Sequence, residues 1–403
     1  MKTHHFKKII LFSMLLGLSQ VSWAACTQTL SPGANVATAV SGAAAGSTIC
    51  LNSGSYGSVS LNNIVKTSDV IVQSVSGNTA SLSLSIGNGS NHLKFQNLTI
   101  LGMNISGGTT KNITVARSTL TSQLVVNTIN FNNNNILIDG NTFDAINANG
   151  GYEGRLQISW GNGPGTVPAG VVVTNNHFGN LGCSDGIQIG SYGVVVGPGN
   201  VFENIQQGSC VEHVDSIQLY GQSHTTINGN YFKNVTVCLG AYDGGNTETI
   251  TNNTFIGTTG GECIVYLASI NNMMLSHNTF NNASTLIGAG NNPAGTTGSI
   301  LNNNFLLNSY SSSNGAGFTG TIDHNLFTSS SLAKGSNTTI GTPTFVGGAT
   351  PSTWAGFQLT SSSLGYHAAT DGNDLGTNLY GTGTTLTQST TSILLAPSNL
   401  RVN

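Results

Sequence analysis

Two short stretches of this chain hold side chains that could do chemistry together. They are Cys183-Ser-Asp-Gly-Ile-Gln-Ile189 and Glu212-His-Val-Asp-Ser-Ile-Gln-Leu219. Each sets an aspartate three residues before a glutamine: Asp185 before Gln188, and Asp215 before Gln218. Two carboxylates held close repel unless a proton or a cation lies between them. Calcium takes carboxylate, amide and water oxygens, so Asp185, Asp215 and Glu212 could hold Ca2+. The same aspartates could instead cap turns through backbone N–H groups. His213, two residues before Asp215, could act as a general base or only orient that carboxylate. Arg155 could grip a substrate carboxylate with both arms of its guanidinium, or pair with Glu153.

Anchored on the Phe that follows, four segments align without a gap. They begin at Cys183, His213, Thr236 and Gly261, each 19 residues before its Phe. That register stacks Asp185, Asp215, Cys238 and Cys263 at one position. Strand alternation then sorts the faces. Leu156, Ile158, Ile187, Ile189, Ile217 and Leu219 point inward. Arg155, Gln157, Gln188, Ser216, Gln218, Tyr220, Asp243 and Tyr266 point outward. Gln157, Gln188 and Gln218 form a surface file that could contact sugar hydroxyls or bond only to itself. Tyr220, Tyr266 and Trp160 could stack on sugar rings or cover turns. Lys233 reads as a solvated turn residue.

The elements that must position these groups repeat. Asn-x-Phe recurs at Asn141, Asn176, Asn200, Asn230, Asn253, Asn278, Asn303 and Asn325, with weaker copies at Asn97 and Ser118. The steps run from 21 to 35 residues. Such a period marks stacked coils. Val171-Val-Val173, Ile136-Leu-Ile138 and Thr249-Ile-Thr251 are short, β-branched and flanked by Asn or Gly, so the segments are strands. A coil near 23 residues fits three short strands and three turns. The expected fold is all-β: a single-stranded, right-handed parallel β-helix of about ten coils with an N-terminal cap, its Phe side chains in an internal file. The Asn residues are expected in left-handed turns, bonded from coil to coil.

Residues 1–24 read as a secretory signal: Lys2, Lys7 and Lys8, then an apolar stretch, then Ser22-Trp23-Ala24. The apolar stretch is too short to span a membrane. Without those three lysines the chain keeps 8 basic and 14 acidic residues, a balance that disfavours nucleic acid as a partner. Residues 25–376 are assigned to the β-helix and its caps, and 377–403 to a Thr/Gly/Ser-rich tail. Six cysteines in an exported chain suggest disulfides, with pairs 26–50, 183–210 and 238–263 each about one coil apart.

The entry segment Ala43–Tyr56, the exit segment Phe357–Gly376 and the two acidic stretches resemble secreted β-helix proteins of the pectate-lyase-like superfamily. The acidic-His-x-Asp-x-Ile-Gln segment is similar to those of a bacterial branch of it. The resemblance implies an acidic polysaccharide as substrate and β-elimination, with Ca2+ or polar groups on the uronate carboxylate and a basic side chain removing the C5 proton. On that reading His213, Asp215, Asp185 and Arg155 are catalytic. Gln157, Gln188, Gln218, Tyr220, Asp243 and Tyr266 bind substrate. A glycoside hydrolase using paired carboxylates, or a glycan-binding surface module without turnover, are the alternatives.

Overall fold

The computed structural model describes residues 25–380 other than 152, 160–165, 258–262, 289–294, 307–308 and 312–316. The signal assigned to residues 1–24, Trp160 and most of the assigned tail lie outside the described residues. The chain winds into a right-handed parallel β-helix. It makes about 12 turns, more than the ten expected. The earliest coils carry no Phe anchor, so counting anchors missed them. At about 4.8 Å per coil the rod is roughly 58 Å long.

Each coil crosses three faces. One face is a 13-stranded parallel sheet from Gln28–Leu30 to Phe318–Asp323. The second carries the Phe strands, such as His177–Gly179 and Val201–Glu203. The third carries Leu156–Ser159, Ile187–Ile189, Ile217–Leu219, Val237–Ala241 and Ile264–Ala268. The second and third faces join because Thr99–Ile105 rounds the corner, pairing with Thr119–Leu120 and with Leu124–Asn127. The outward glutamines stack as expected: Gln157 beside Gln188, and Gln188 beside Gln218.

Eight phenylalanines from Phe143 to Phe327 stack in a buried file, with neighbouring ring centroids 4.6–4.9 Å apart. Beside them runs a buried asparagine ladder. Asn200 Nδ2 donates to Asn230 Oδ1 at 2.9 Å and to Val173 O at 2.8 Å. The same pattern runs from Asn141 to Asn325. Each side chain thus satisfies backbone and amide groups that the turn would leave unpaired. The left-handed residue is not the ladder Asn but the one before it, as at Asn175, Asn252 and Asn302. Asn97 is itself such a residue, at φ 54°, and Leu98 takes the ladder position; the weak first anchor was therefore one residue out.

At the start of the rod, Cys26–Cys50 ties the first strand to the second and a short helix, Val36–Gly42, covers the open end. Asn35 caps that helix, accepting from Thr38 N at 3.0 Å. Near the other end the chain folds back along the outside of the Phe face. Phe345, Trp354, Phe357 and Leu359 pack on Tyr231. Thr377 Oγ1 donates to Asn252 O at 2.8 Å. Among the described residues no helix is long and apolar enough to cross a membrane.

Candidate functional site

Before the strands Ile187–Ile189 and Ile217–Leu219 the backbone is already held like a strand. Gly186 N donates to Asp215 O at 2.9 Å, and Ser216 N to Val237 O at 2.7 Å. This brings Asp185 and Asp215 onto adjacent coils, 2% and 0% exposed. Asp185 Oδ1 accepts the Asp215 backbone N–H at 2.6 Å, and its Oδ2 accepts from Gln188 Nε2 at 2.8 Å. Asp215 Oδ1 accepts from Tyr242 OH at 3.3 Å and faces His213 Nδ1 at 3.4 Å. Asp215 Oδ2 is buried with no hydrogen-bond partner.

Burial and the charge of Asp215 push the Asp185 carboxyl up to about 7. Burial raises Asp215 as well, opposed by its hydrogen bond to His213. The bond to Asp215 pushes His213 up to about 9. Both carboxyls therefore hold a proton more readily than free ones, and they titrate together with His213 as one coupled group. Burial, and then the charge of Asp215, raises Tyr242 too.

His213 rides on a loop clamped from within. The Gln207 side chain donates to Cys210 O at 2.8 Å and Glu212 O at 2.6 Å, and accepts from Val214 N at 3.0 Å. Gln207 N is tied in turn to Thr236 Oγ1 at 2.8 Å. The Cys183–Cys210 disulfide fastens the same loop to the preceding coil. Above lies an open groove lined by Gly151, Asp185, Gln188, Glu212, His213 and Gln218.

Several expected residues fall elsewhere. Arg155 does not face solvent: it is 0% exposed and donates to the carbonyls of Phe143, Gly179, Leu181 and Ser184. Those four carbonyls, three of them on the following coil, replace the water the cation would lose. Burial draws the Arg155 guanidinium down to about 10. Ser216 is buried as well. Gln157 is nearly buried and donates to Tyr220 OH at 2.6 Å, so these two meet each other beside the groove. Asp243 is exposed on a turn and does not line the groove. Lys233, expected in a turn, ends the strand Tyr231–Lys233 and lies 3.7 Å from Glu203 on the neighbouring strand, both partly exposed.

The gapless register slips by one at the next coil. Asp215 bridges to Val237, not Cys238, and Gln218 lies beside Gly240. Against the following coil Cys238 is the extra residue of a bulge, and it still pairs with Cys263. The slip brings in Tyr242, which sequence reasoning missed. Its ring lies 5.2 Å from His213 and stacks on Tyr266 at 5.1 Å. Gly240 makes room for it: a Cβ there would lie 2.5 Å from Asp215 Oδ2 and 2.6 Å from the Tyr242 ring. A glycine in an outward file, two residues before a tyrosine, was the available signal.

Asp185, His213 and Asp215 each present a ligand atom within 4.8 Å of the others, so this group could hold a metal ion. Glu212, expected as a ligand, lines the groove but is not in that group.

No family model and no curated protein matches the chain. Solved structures do. A PL6 family polysaccharide lyase from Pseudopedobacter saltans superimposes with a TM-score of 0.58 at 14% identity, over 78% of this chain and 91% of that one. The PL6 family alginate lyase AlyGC gives 0.51 at 14% identity, over 88% of this chain and 58% of that one. The alginate lyase AlyF-OU02, solved with G6, gives 0.51 at 12% identity, over 88% and 95%. At such identity the likeness is one of fold: the chain shares the parallel β-helix architecture of these structures.

Proposed function

We propose that this is an exported polysaccharide lyase that binds a uronate polymer along the groove and cleaves it by β-elimination. One observation carries the reading: the buried Asp185–Asp215 pair, with His213 against it, opens onto a groove edged by Gln188 and Gln218. The architecture shared with PL6 lyases and the three disulfides, which suit an oxidising compartment, support it.

His213 is the base of this mechanism in its neutral form, so elimination should rise with pH toward the value of about 9 to which Asp215 pushes the ring. Asp215 and the Gln207 clamp fix the half-exposed ring through Nδ1 and the adjoining main chain, leaving Nε2 to take the C5 proton. The Asp185 carboxyl sits where a proton shared with the uronate carboxylate would make that C–H more acidic. Gln188 and Gln218 offer amides to sugar hydroxyls. Electrons from the broken C5–H bond form the C4–C5 double bond as the glycosidic oxygen leaves C4, taking a proton from water in the open groove. Arg155 has no part in the chemistry. It braces the corner from which Asp185 extends.

The donor set suits Ca2+ poorly, because the third ligand atom beside the two carboxylates is an imidazole nitrogen and not oxygen. No step is routed through calcium.

The test is a panel of polyuronates, each followed by ultraviolet absorbance of the unsaturated product and by reducing ends. An elimination raises both. Reducing ends without absorbance would establish a hydrolase, and binding with neither signal a glycan-binding module.

A further inference from the structure

We propose that Asp185, His213 and Asp215 form a site for a first-row divalent ion of the zinc type, and that this ion switches off the base assigned above. The inhibitory half rests on the lyase reading; the site itself does not.

Three observations carry the site. The ligand atoms converge within 4.8 Å, with His213 Nδ1 and Asp215 Oδ1 3.4 Å apart. A tetrahedral ion about 2.0–2.1 Å from each ligand separates two ligands by about 3.3 Å, so this pair already spans one edge of such a polyhedron. Second, Asp215 Oδ2 is fully buried without a partner, a carboxylate oxygen with unused acceptor capacity. Third, the ligands are held from behind. Gln207 fixes the main chain on both sides of His213, Gln188 donates to Asp185, and Tyr242 donates to Asp215. Outer contacts of this kind orient metal ligands. The remaining position faces the groove, where water or a uronate oxygen can occupy it.

The donor types choose the ion. Imidazole with carboxylate suits zinc and its neighbours, whereas calcium asks for six to eight oxygens. An imidazole whose nitrogen lone pair is given to a metal becomes a poor base. Zinc on this cluster therefore stops proton removal by His213 even though the fold and groove are intact.

The experiment is a calorimetric titration of the metal-free full chain with zinc sulfate, run in parallel with calcium chloride. Zinc should bind at one equivalent and calcium should not compete at the same concentration. His213→Gln, at a half-exposed position that does not threaten folding, should weaken zinc binding by at least the ~10–100-fold seen on loss of outer contacts, and Asp215→Asn likewise. One equivalent of zinc should abolish elimination, and a chelator should restore it. No zinc binding, affinity unchanged in His213→Gln, or displacement by equimolar calcium would overturn the site. Variant-sensitive zinc binding in a protein that cleaves no polyuronate supports the site and sinks only the elimination reading.

Discussion

The Phe face and the groove face are built from the same coils but obey different rules. On the Phe face every coil repeats: Phe on Phe, Asn on Asn, and no extra residue from Asn141–Phe143 to Asn325–Phe327. The ladder amides there find their partners one coil away. On the groove face, loops are inserted, a bulge enters at Cys238, and two carboxylates, an arginine and a tyrosine replace aliphatic packing. The first face is repetitive, and its unpaired buried atoms, such as the Tyr231 and Thr254 hydroxyls, are neutral; the second is irregular and leaves the carboxylate oxygen Asp215 Oδ2 unpaired. Stability comes from the first, and it lets the second hold charges that a small core could not.

The comparison can be broken from the ladder side. Asn253→Ala would strip partners from Asn230 N, Asn230 Nδ2 and Ile227 O at once. Each buried group left unpaired costs about 1–3 kcal/mol, so a loss of roughly 3–9 kcal/mol is expected in urea unfolding. A change below 1 kcal/mol would mean that water replaces the ladder.

Buried acid gives the next effect. Glu248 is 1% exposed, and burial pushes it up to about 7 against a few hydrogen bonds, including those from Thr225 N and Asn246 N. An acid raised in the folded state favours folding while protonated. Stability should therefore be greatest below its unfolded value near 4.5 and fall as pH rises to about 7, by on the order of 3 kcal/mol. Glu248→Gln should remove its share of that slope in melts between those pH values, leaving the share of Asp185, which is also pushed up to about 7. A slope undiminished in the variant would show that Glu248 does not carry that proton.

Gly240→Ala is the sharper probe of the groove. Its methyl would press on Asp215 and Tyr242, and overpacking of this kind costs about 1–3 kcal/mol. Turnover should fall by more than the change in melting suggests, because both displaced groups touch His213, which lines the groove. Loss of stability with unchanged turnover would separate Tyr242 from the site.

The smallest expected effect is Tyr231→Phe. The Tyr231 hydroxyl is buried without a partner under Trp354. Removing it should leave stability within about 1 kcal/mol or raise it. A large loss in thermal melts would reveal a bridging water.

What the sequence made legible follows the same division. The fold, the Phe file and all three disulfide pairs could be read from the period, because identical residues recur at nearly identical spacing. Asp185 and Asp215 emerged from the same alignment. Arg155 and Ser216 were placed on the wrong side because both directly precede a strand. Alternation constrains side chains only within the strand. Tyr242 was hidden by a single extra residue in the turn after Ala241: Leu219 pairs with Ala241 but Ser223 with Asn246, so an alignment anchored on the Phe places the strand before that turn one residue out. Glu248 was invisible for another reason: it occupies an inward position where Val194 sits two coils earlier, and only the stacked structure shows that a carboxyl has replaced an aliphatic side chain.

The most direct test of the account compares wild type with His213→Ala on whichever polyuronate is cleaved. It follows the absorbance of the unsaturated uronate after circular dichroism has shown that both proteins fold alike. The account expects the wild-type trace to rise and the variant's to fall at least ~100-fold, the ordinary contribution of a positioned base. A folded variant that eliminates at the wild-type rate would contradict it and remove the groove cluster from the chemistry.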